Sequence, residues 1–196
     1  MSDGQKVGAV ILAAGASRRY GRPKQLVVID GRTLLEHAID AAARAELRPV
    51  VAVVPVWLSR PASLAADWMR WVRNPFPERG MSLSLRLGLE ALGDEVEAAV
   101  ILLGDQPRLP VSTIDAVVAA RGQRPVVASR AGGVLAPPVL IERDHFHLVE
   151  GLSGDAGLRD LLRERPELVT PVDLTSHAPD VDRLADVDRL SGDPRR

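Results

Sequence analysis

No cysteine occurs anywhere in the 196 residues, which excludes disulfides, thiolate nucleophiles and cysteine-based metal sites and suits a reducing compartment. Aromatic residues are nearly as scarce at 3%, so any core must be built from Leu, Val, Ile and Ala. Excess charge of one sign is missing as well, since 25 basic and 26 acidic residues leave a formal net charge of −1. That balance supplies no overall field for nucleic acid or an anionic membrane, so any affinity for anions must be local. Long apolar runs are also absent. Val7 to Ala14 is too short to span a bilayer, and Val50 to Leu58 is interrupted by Pro55. An Arg-rich loop follows the first run where a signal peptide would carry its cleavage site, so a buried parallel strand accounts for it better. The expectation is a cytoplasmic protein of one domain over 1–196, with no linker and no internal repeat.

What is present is an alternation of apolar strands with amphipathic helical segments, the pattern of a mostly parallel sheet covered on both faces. Strands are expected at Val7 to Ala14, Val50 to Val54, Trp71-Val72, Ala98 to Leu103, Pro125 to Ala128, Val139 to Ile141 and Leu168 to Val172. Asp30-Gly31 marks a turn, and Thr33 with Glu36 forms a T-x-x-E capping box ahead of Leu35, Ala38, Ile39 and Ala42 at helical spacing. Ser82 is expected to cap a helix with Leu85, Leu89 and Leu92 as its inner stripe. Ser112 with Asp115 opens another in the same style, and Asp155 can cap one running to about Arg165. From Ser176 onward the chain is polar and Asp-rich, and a frayed tail is expected from about 191.

The segment from Ile11 to Leu26 carries the chemistry. A small, glycine-containing loop follows the first strand at Gly15 and bears Arg18, Arg19, Arg22 and Lys24. Backbone N–H groups in such a turn can converge on an anion while the cations neutralise a polyphosphate. The plain alternative is a solvated basic loop. Neither Walker A, which needs G-K-[ST] where Gly21 is followed by Arg22 and Pro23, nor the G-x-G-x-x-G fingerprint is present. Asp105 follows the apolar run Val100 to Leu103 and Gly104, so its carboxylate would reach the sheet's rim. There it either holds Mg²⁺, a hard ion that favours oxygen, or bonds its own turn. The histidines (His37, His145, His147) show no metal-ligand spacing, and no G-x-S-x-G elbow argues for a hydrolase triad.

The run L-A-A-G-x-S-x-R-x-G-x-P-K-Q-L resembles the signature loop of the MobA/MocA-like nucleotidyltransferases. The resemblance covers most of the chain and implies a three-layer α/β/α sandwich with a Rossmann-like sheet of the nucleotide-diphospho-sugar transferase type. It implies nucleotide contacts from Leu12, Ala13, Ala14, Gly15, Ser17, Arg18 and Lys24, with Arg18 and Lys24 as the catalytic cations. L-L-G-D-Q-P resembles the family's metal motif at Asp105. Asp186-Val187-Asp188 stands where a second metal ligand belongs, with Asp188 chosen and Asp186 in reserve, although the following Thr and Pro of the family motif are missing. Asn74 through Arg86 resembles the family's N-x-x-x-x-G-M-x-x-S-L-R block, which adds Asn74, Ser82 and Ser84 to the nucleotide side. Ser84 and Arg86 can equally be ordinary helix-surface residues. Gly151 to Arg159 resembles the L-x-G-D-x-G-A-R element of the acceptor side, implicating Asp155 and Arg159, though a simple helix cap explains Asp155 equally well.

One departure stands out. Ala136-Pro137-Pro138-Val139-Leu140 occupies the place of the family's G-[HN]-P-V-L, and a proline supplies neither a side-chain donor nor an N–H. The resemblance implies transfer of CMP from CTP to a phosphorylated acceptor with Mg²⁺. Molybdopterin is the first choice of acceptor, and a molybdoenzyme is a possible recipient. Ala13-Ala14-Gly15 matches the L-A-A-G of cytidylyl-transferring relatives rather than L-A-G-G. Guanylyl or other nucleotidyl transfer, to an acceptor such as a sugar phosphate, and a non-catalytic cofactor binder remain as alternatives.

Overall fold

The computed structural model describes residues 6–15, 23–155, 157–174 and Asp186. Its first strand, β1 (Val7–Leu12), is buried at every position, because a central parallel strand is covered on both faces. A small hairpin of β2 (Val28–Ile29) and β3 (Arg32–Thr33) follows, turned by Asp30 at φ 50° and Gly31 at φ 79°. That pair of positive φ angles is what a tight Asp-Gly hairpin turn demands. Helix α1 (Leu34–Arg44) opens on the expected capping box, with Thr33 Oγ1 accepting from the Glu36 N–H and Glu36 accepting from the Thr33 N–H. These bonds hold the Glu36 carboxyl below the usual glutamate range.

The remaining elements are β4 (Val50–Pro55), β5 (Met69–Asn74), α2 (Met81–Ala91), β6 (Ala98–Leu103), α3 (Val111–Ala119), β7 (Val126–Ala131), β8 (Val134–Glu142), α4 (Gly157–Glu164) and β9 (Val169–Asp173). Seven strands form one sheet in the order β5-β4-β1-β6-β8-β7-β9. Strand β8 runs antiparallel to β6 and β7, and the other pairings are parallel. The α/β architecture is therefore as expected.

Alternation along β1 divides the core. Val7, Ala9 and Ile11 pack with α1 and α3, while Val10 and Leu12 pack with α2 and α4. The largest fully buried side chains are Ile, Leu and Val, the aliphatic core that the shortage of aromatics requires. Each stabilises the fold by roughly 1.5–3 kcal/mol relative to exposure. Helix α2 lies close against β1 at Gly88, where an added Cβ would stand 2.2 Å from Val10 Cγ1 and 3.1 Å from Val53 Cγ2.

Several local expectations are corrected. Ser82 does not cap α2. Gly80, at φ +85°, occupies that position, and Ser82 lies buried one residue inside the helix. Ser112 and Asp115 do not open α3 as a box, because Pro110 presets the entry and Thr113 N donates to Pro110 O at 3.0 Å. The Trp71-Val72 strand extends over Met69–Asn74, since β4 offers a full parallel partner. Strand β8 begins five residues before Val139 and contains both prolines. The ladder steps from Ala128↔Val139 to Ser129↔Ala136, so Pro137 and Pro138 form the bulge in β8. No ladder N–H is required there. The tail from about 191 lies outside the described residues.

Candidate functional site

Two adjacent parallel strands end side by side, with Leu12 of β1 in register with Leu103 of β6. The backbone beyond each is joined: Gly104 N donates to Leu12 O at 3.0 Å. A Cβ on Gly104 would lie 2.8 Å from the Ala13 Cβ, so only glycine lets the second strand end close on the first. Ligands of open α/β sheets bind at this carboxyl edge. The cavity there has a volume of about 640 Å³, well suited to a nucleotide-sized ligand.

One wall of the cavity is the turn Leu12 to Gly15, and the second is Leu103, Gly104 and Asp105. Lys24 and Gln25 enter from the 3₁₀ turn Lys24–Leu26. Lys24 Nζ lies 3.3 Å from Asp105 Oδ2. Their side chains are 13% and 29% exposed, so Lys24 is far from the freely exposed loop residue that the sequence suggests.

Helix α2 supplies the third wall with Gly80, Met81 and Ser84. Asn74 is fully buried behind it, donating from Nδ2 to Ser84 Oγ at 2.9 Å and accepting from the Phe76 N–H at 2.8 Å. Asn74 thus holds Ser84 in the wall rather than lining the cavity. Five residues separate Asn74 from Gly80, one more than in the family block, consistent with this supporting place. Ser82 does not line the cavity either; its N–H donates to Gly154 O at 3.1 Å.

That bond belongs to a tight junction between α2 and the segment carrying Asp155. A Cβ on Gly80 would meet the Gly154 carbonyl carbon at 2.3 Å and Asp155 N at 2.7 Å. Arg86 Nη1, about one turn beyond Ser82 on the same helix, donates to Leu152 O at 2.8 Å. Asp155 is therefore set at the mouth of the cavity, exposed and lining it, while Arg159 is exposed and does not line it. Pro137 is also absent from the lining.

Arg18, Ser17 and Asp188 lie outside the described residues. Counted along the signature loop, the motif's arginine position falls on Arg19, next to Arg18, and Arg19 too lies outside them. Asp186 is described and half-buried. Among the described residues no group of three or more His, Asp or Glu is placed to hold a metal. Asp105, in the cavity wall, suits a cation of the kind that nucleotide phosphates share, which asks the protein for only one or two carboxylates.

No described histidine lines this cavity. His37 Nε2 is 2.8 Å from Ile29 O, tying α1 to the hairpin, and His145 lines a separate cavity by the residues preceding β1 and β6. Among the lining residues that sequence reasoning missed, with Met81 and Leu103, Gln25 is the buried polar one. It stands in the quoted P-K-Q-L run, but no periodicity in a loop reveals that a polar side chain is buried. No described helix is long and apolar enough to cross a membrane.

Comparison with known proteins places this geometry. The family model for the MobA-like NTP transferase domain matches residues 9–170. The purine catabolism protein PucB of Bacillus subtilis is 32% identical, over 79% of this chain and 79% of its own length. The nicotine blue oxidoreductase of Paenarthrobacter nicotinovorans is also 32% identical, over 94% of this chain and 96% of its own. Among solved structures, Rv0371c from Mycobacterium tuberculosis has a TM-score of 0.83 at 26% identity, covering 96% of this chain and 99% of that one. The same protein in complex with manganese has a TM-score of 0.78 at 25% identity, covering 94% and 97%.

Proposed function

The chain belongs to the MobA-like NTP transferase domain family, and from that premise we propose that it transfers CMP from CTP to a phosphorylated acceptor, molybdopterin first. One observation carries the proposal. The turn Ala13 to Gly15, Lys24 and Asp105 converge on a single cavity although they come from separate parts of the chain. In the reaction a phosphate oxygen of the acceptor forms a bond to the α-phosphorus, the bond to the bridging oxygen breaks, and pyrophosphate leaves with the electron pair. Such chemistry asks the protein to position groups and stabilise charge. Lys24 would neutralise the α-phosphate as the acceptor approaches. Asp105 would hold a Mg²⁺ ion, with Asp188 as the second carboxylate, and the ion supplies neutralisation of the phosphates. The manganese complex of Rv0371c supports a divalent ion here.

Ala14 supports the cytidine choice. It lines the cavity and belongs to the same buried cluster as Leu12 and Leu85. A methyl there narrows the space for a base, favouring a pyrimidine, and such a group discriminates by about 1–3 kcal/mol. Titrating CTP, GTP, ATP and UTP against the Mg²⁺-loaded protein tests it. CTP should bind tightest and Ala14→Gly should narrow the margin; tighter GTP binding overturns the assignment.

A second reading draws on the relative named nicotine blue oxidoreductase, which is alike over nearly the whole chain. The fold would then bind its ligand without transferring a nucleotide. Pyrophosphate release from labelled NTPs, with and without molybdopterin, separates the readings. Release only with molybdopterin supports the first. Release with a sugar phosphate instead changes the acceptor, and no release with any NTP favours the binder.

A further inference from the structure

Gln25 is 5% exposed, yet it lies in the loop that lines the cavity. Its Nε2 donates to Ala13 O at 2.6 Å and to Gly15 O at 2.9 Å. Both donors of one amide are thereby spent on two carbonyls of the same turn, across ten and twelve residues of sequence. The other end of the amide is left unmatched, since among the described residues Oε1 is buried without a hydrogen-bond partner. A buried acceptor in that state costs about 1–3 kcal/mol. Were the side chain only filling space, an apolar residue of the same size would avoid that cost. The amide is there for its two donors.

Their effect is electrostatic and directional. A turn that offered two bare carbonyl oxygens to the cavity would repel phosphate. In a planar trans peptide the N–H points away from its carbonyl. With Ala13 O drawn to Gln25, the Ala14 N–H of the same peptide is turned to the opposite side. We propose that Gln25 is a positioning residue for the nucleotide: it gathers the Ala13 and Gly15 carbonyls to itself and fixes the turn with its N–H side toward the phosphates. This rests on the nucleotidyl-transfer reading above and adds to it the device that presets the turn.

The test uses Gln25→Met, which keeps the length without donors, and Gln25→Glu, which sets a carboxylate against two carbonyls. CTP with MgCl₂ is the probe, read as the rise in melting temperature on adding CTP and as KM for CTP, KM for acceptor and kcat. Gln25→Met should raise KM for CTP about tenfold and shrink the CTP-induced rise in melting temperature, with KM for acceptor unchanged; misplaced binding groups cost about this much or more. Gln25→Glu should lose more, and recover part of its CTP affinity as pH falls toward the carboxylate range and the acid regains one donor. A Gln25→Met protein that melts lower without ligand but keeps the full CTP-induced rise reduces Gln25 to a structural role and overturns the proposal. Should Gln25→Met fail to fold, the Gln25→Glu pH profile decides, and a flat profile overturns it. Wild-type protein that binds no NTP sinks the nucleotidyl reading itself, whereas equal CTP binding by wild type and both variants sinks this inference alone.

Discussion

Lys24 Nζ lies 3.3 Å from Asp105 Oδ2 across 81 residues of sequence, so a cation of the first loop and a carboxylate of a central strand end share one corner of the cleft. The pair has a consequence for ligand order. A divalent ion arriving without nucleotide must compete with the ammonium for Asp105. A nucleotide–metal complex would bring its own charges, so that Lys24 would face the phosphate while Asp105 would hold the metal.

Lys24→Met should therefore act in opposite directions on two measurements. Mn²⁺ affinity in the absence of nucleotide should rise, because the competing cation is gone. Turnover should fall about 10²–10³-fold, the usual loss for one charge-stabilising group at a transition state. Titration calorimetry and pyrophosphate release check the two halves, and unchanged turnover would remove the loop from the mechanism.

Asp105→Asn keeps the shape of the side chain and loses the charge that holds a phosphate-bridging cation. Mg²⁺-dependent turnover should drop below detection while the melting temperature without ligand stays within a few degrees. Asp188→Asn should do the same and Asp186→Asn less. A greater loss at Asp186 would show that the register of the divergent acidic motif is displaced.

Gly80→Ala tests the junction between α2 and the Asp155 segment. The new methyl would meet Gly154 and Asp155 backbone inside 3 Å at a φ of +85°. Backbone strain of this sort costs about 1–3 kcal/mol before the clash is counted. A lowered melting temperature with a raised KM for acceptor is expected, and a variant indistinguishable from wild type would show that the junction is not rigid.

The capping box gives a pH dependence. Bonds from Thr33 hold the Glu36 pKa below its ordinary value, and that value is about 4.3 in an unfolded chain. A depressed pKa stabilises the fold fully above the unfolded value, and the contribution is lost as pH falls from there through the folded one. The melting-temperature gap between wild type and Glu36→Gln should be constant near neutrality and close on acidification. A gap that does not narrow on acidification contradicts this origin.

The sheet and its two best motifs were legible in the sequence because they rest on local signals. A run such as Ala98 to Leu103 has no use for that much apolar surface except as a central strand, and the T-x-x-E of Thr33 and Glu36 is a pattern of spacing alone. What escaped depended on contacts distant in sequence. Asn74 reads as a ligand-facing polar residue until β5 is seen to place it beneath Ser84, in the interior. Lys24 reads as exposed until Asp105 is found beside it. Gln25 is invisible because a polar residue in a loop is solvated by default, and only the fold brings two carbonyls to it. Ser82 was misread as a cap because the signal for Ser at a helix start is statistical, whereas Gly80 is required there by the approach of Gly154.

Gly88 does not line the cavity, yet it governs the dimensions of the cleft. The missing side chain lets α2 rest directly on Val10 and Val53, and the same helix carries Ser84 about one turn and Met81 about two turns away, in the cavity wall. The gap between those walls is thus gauged from inside the core, like the setting of a calliper at its hinge rather than at its jaws. Trading volume between residues 88 and 10 would reset that gap without altering any group that meets the substrate. Selectivity in this molecule can therefore drift through its interior while every functional side chain stays the same.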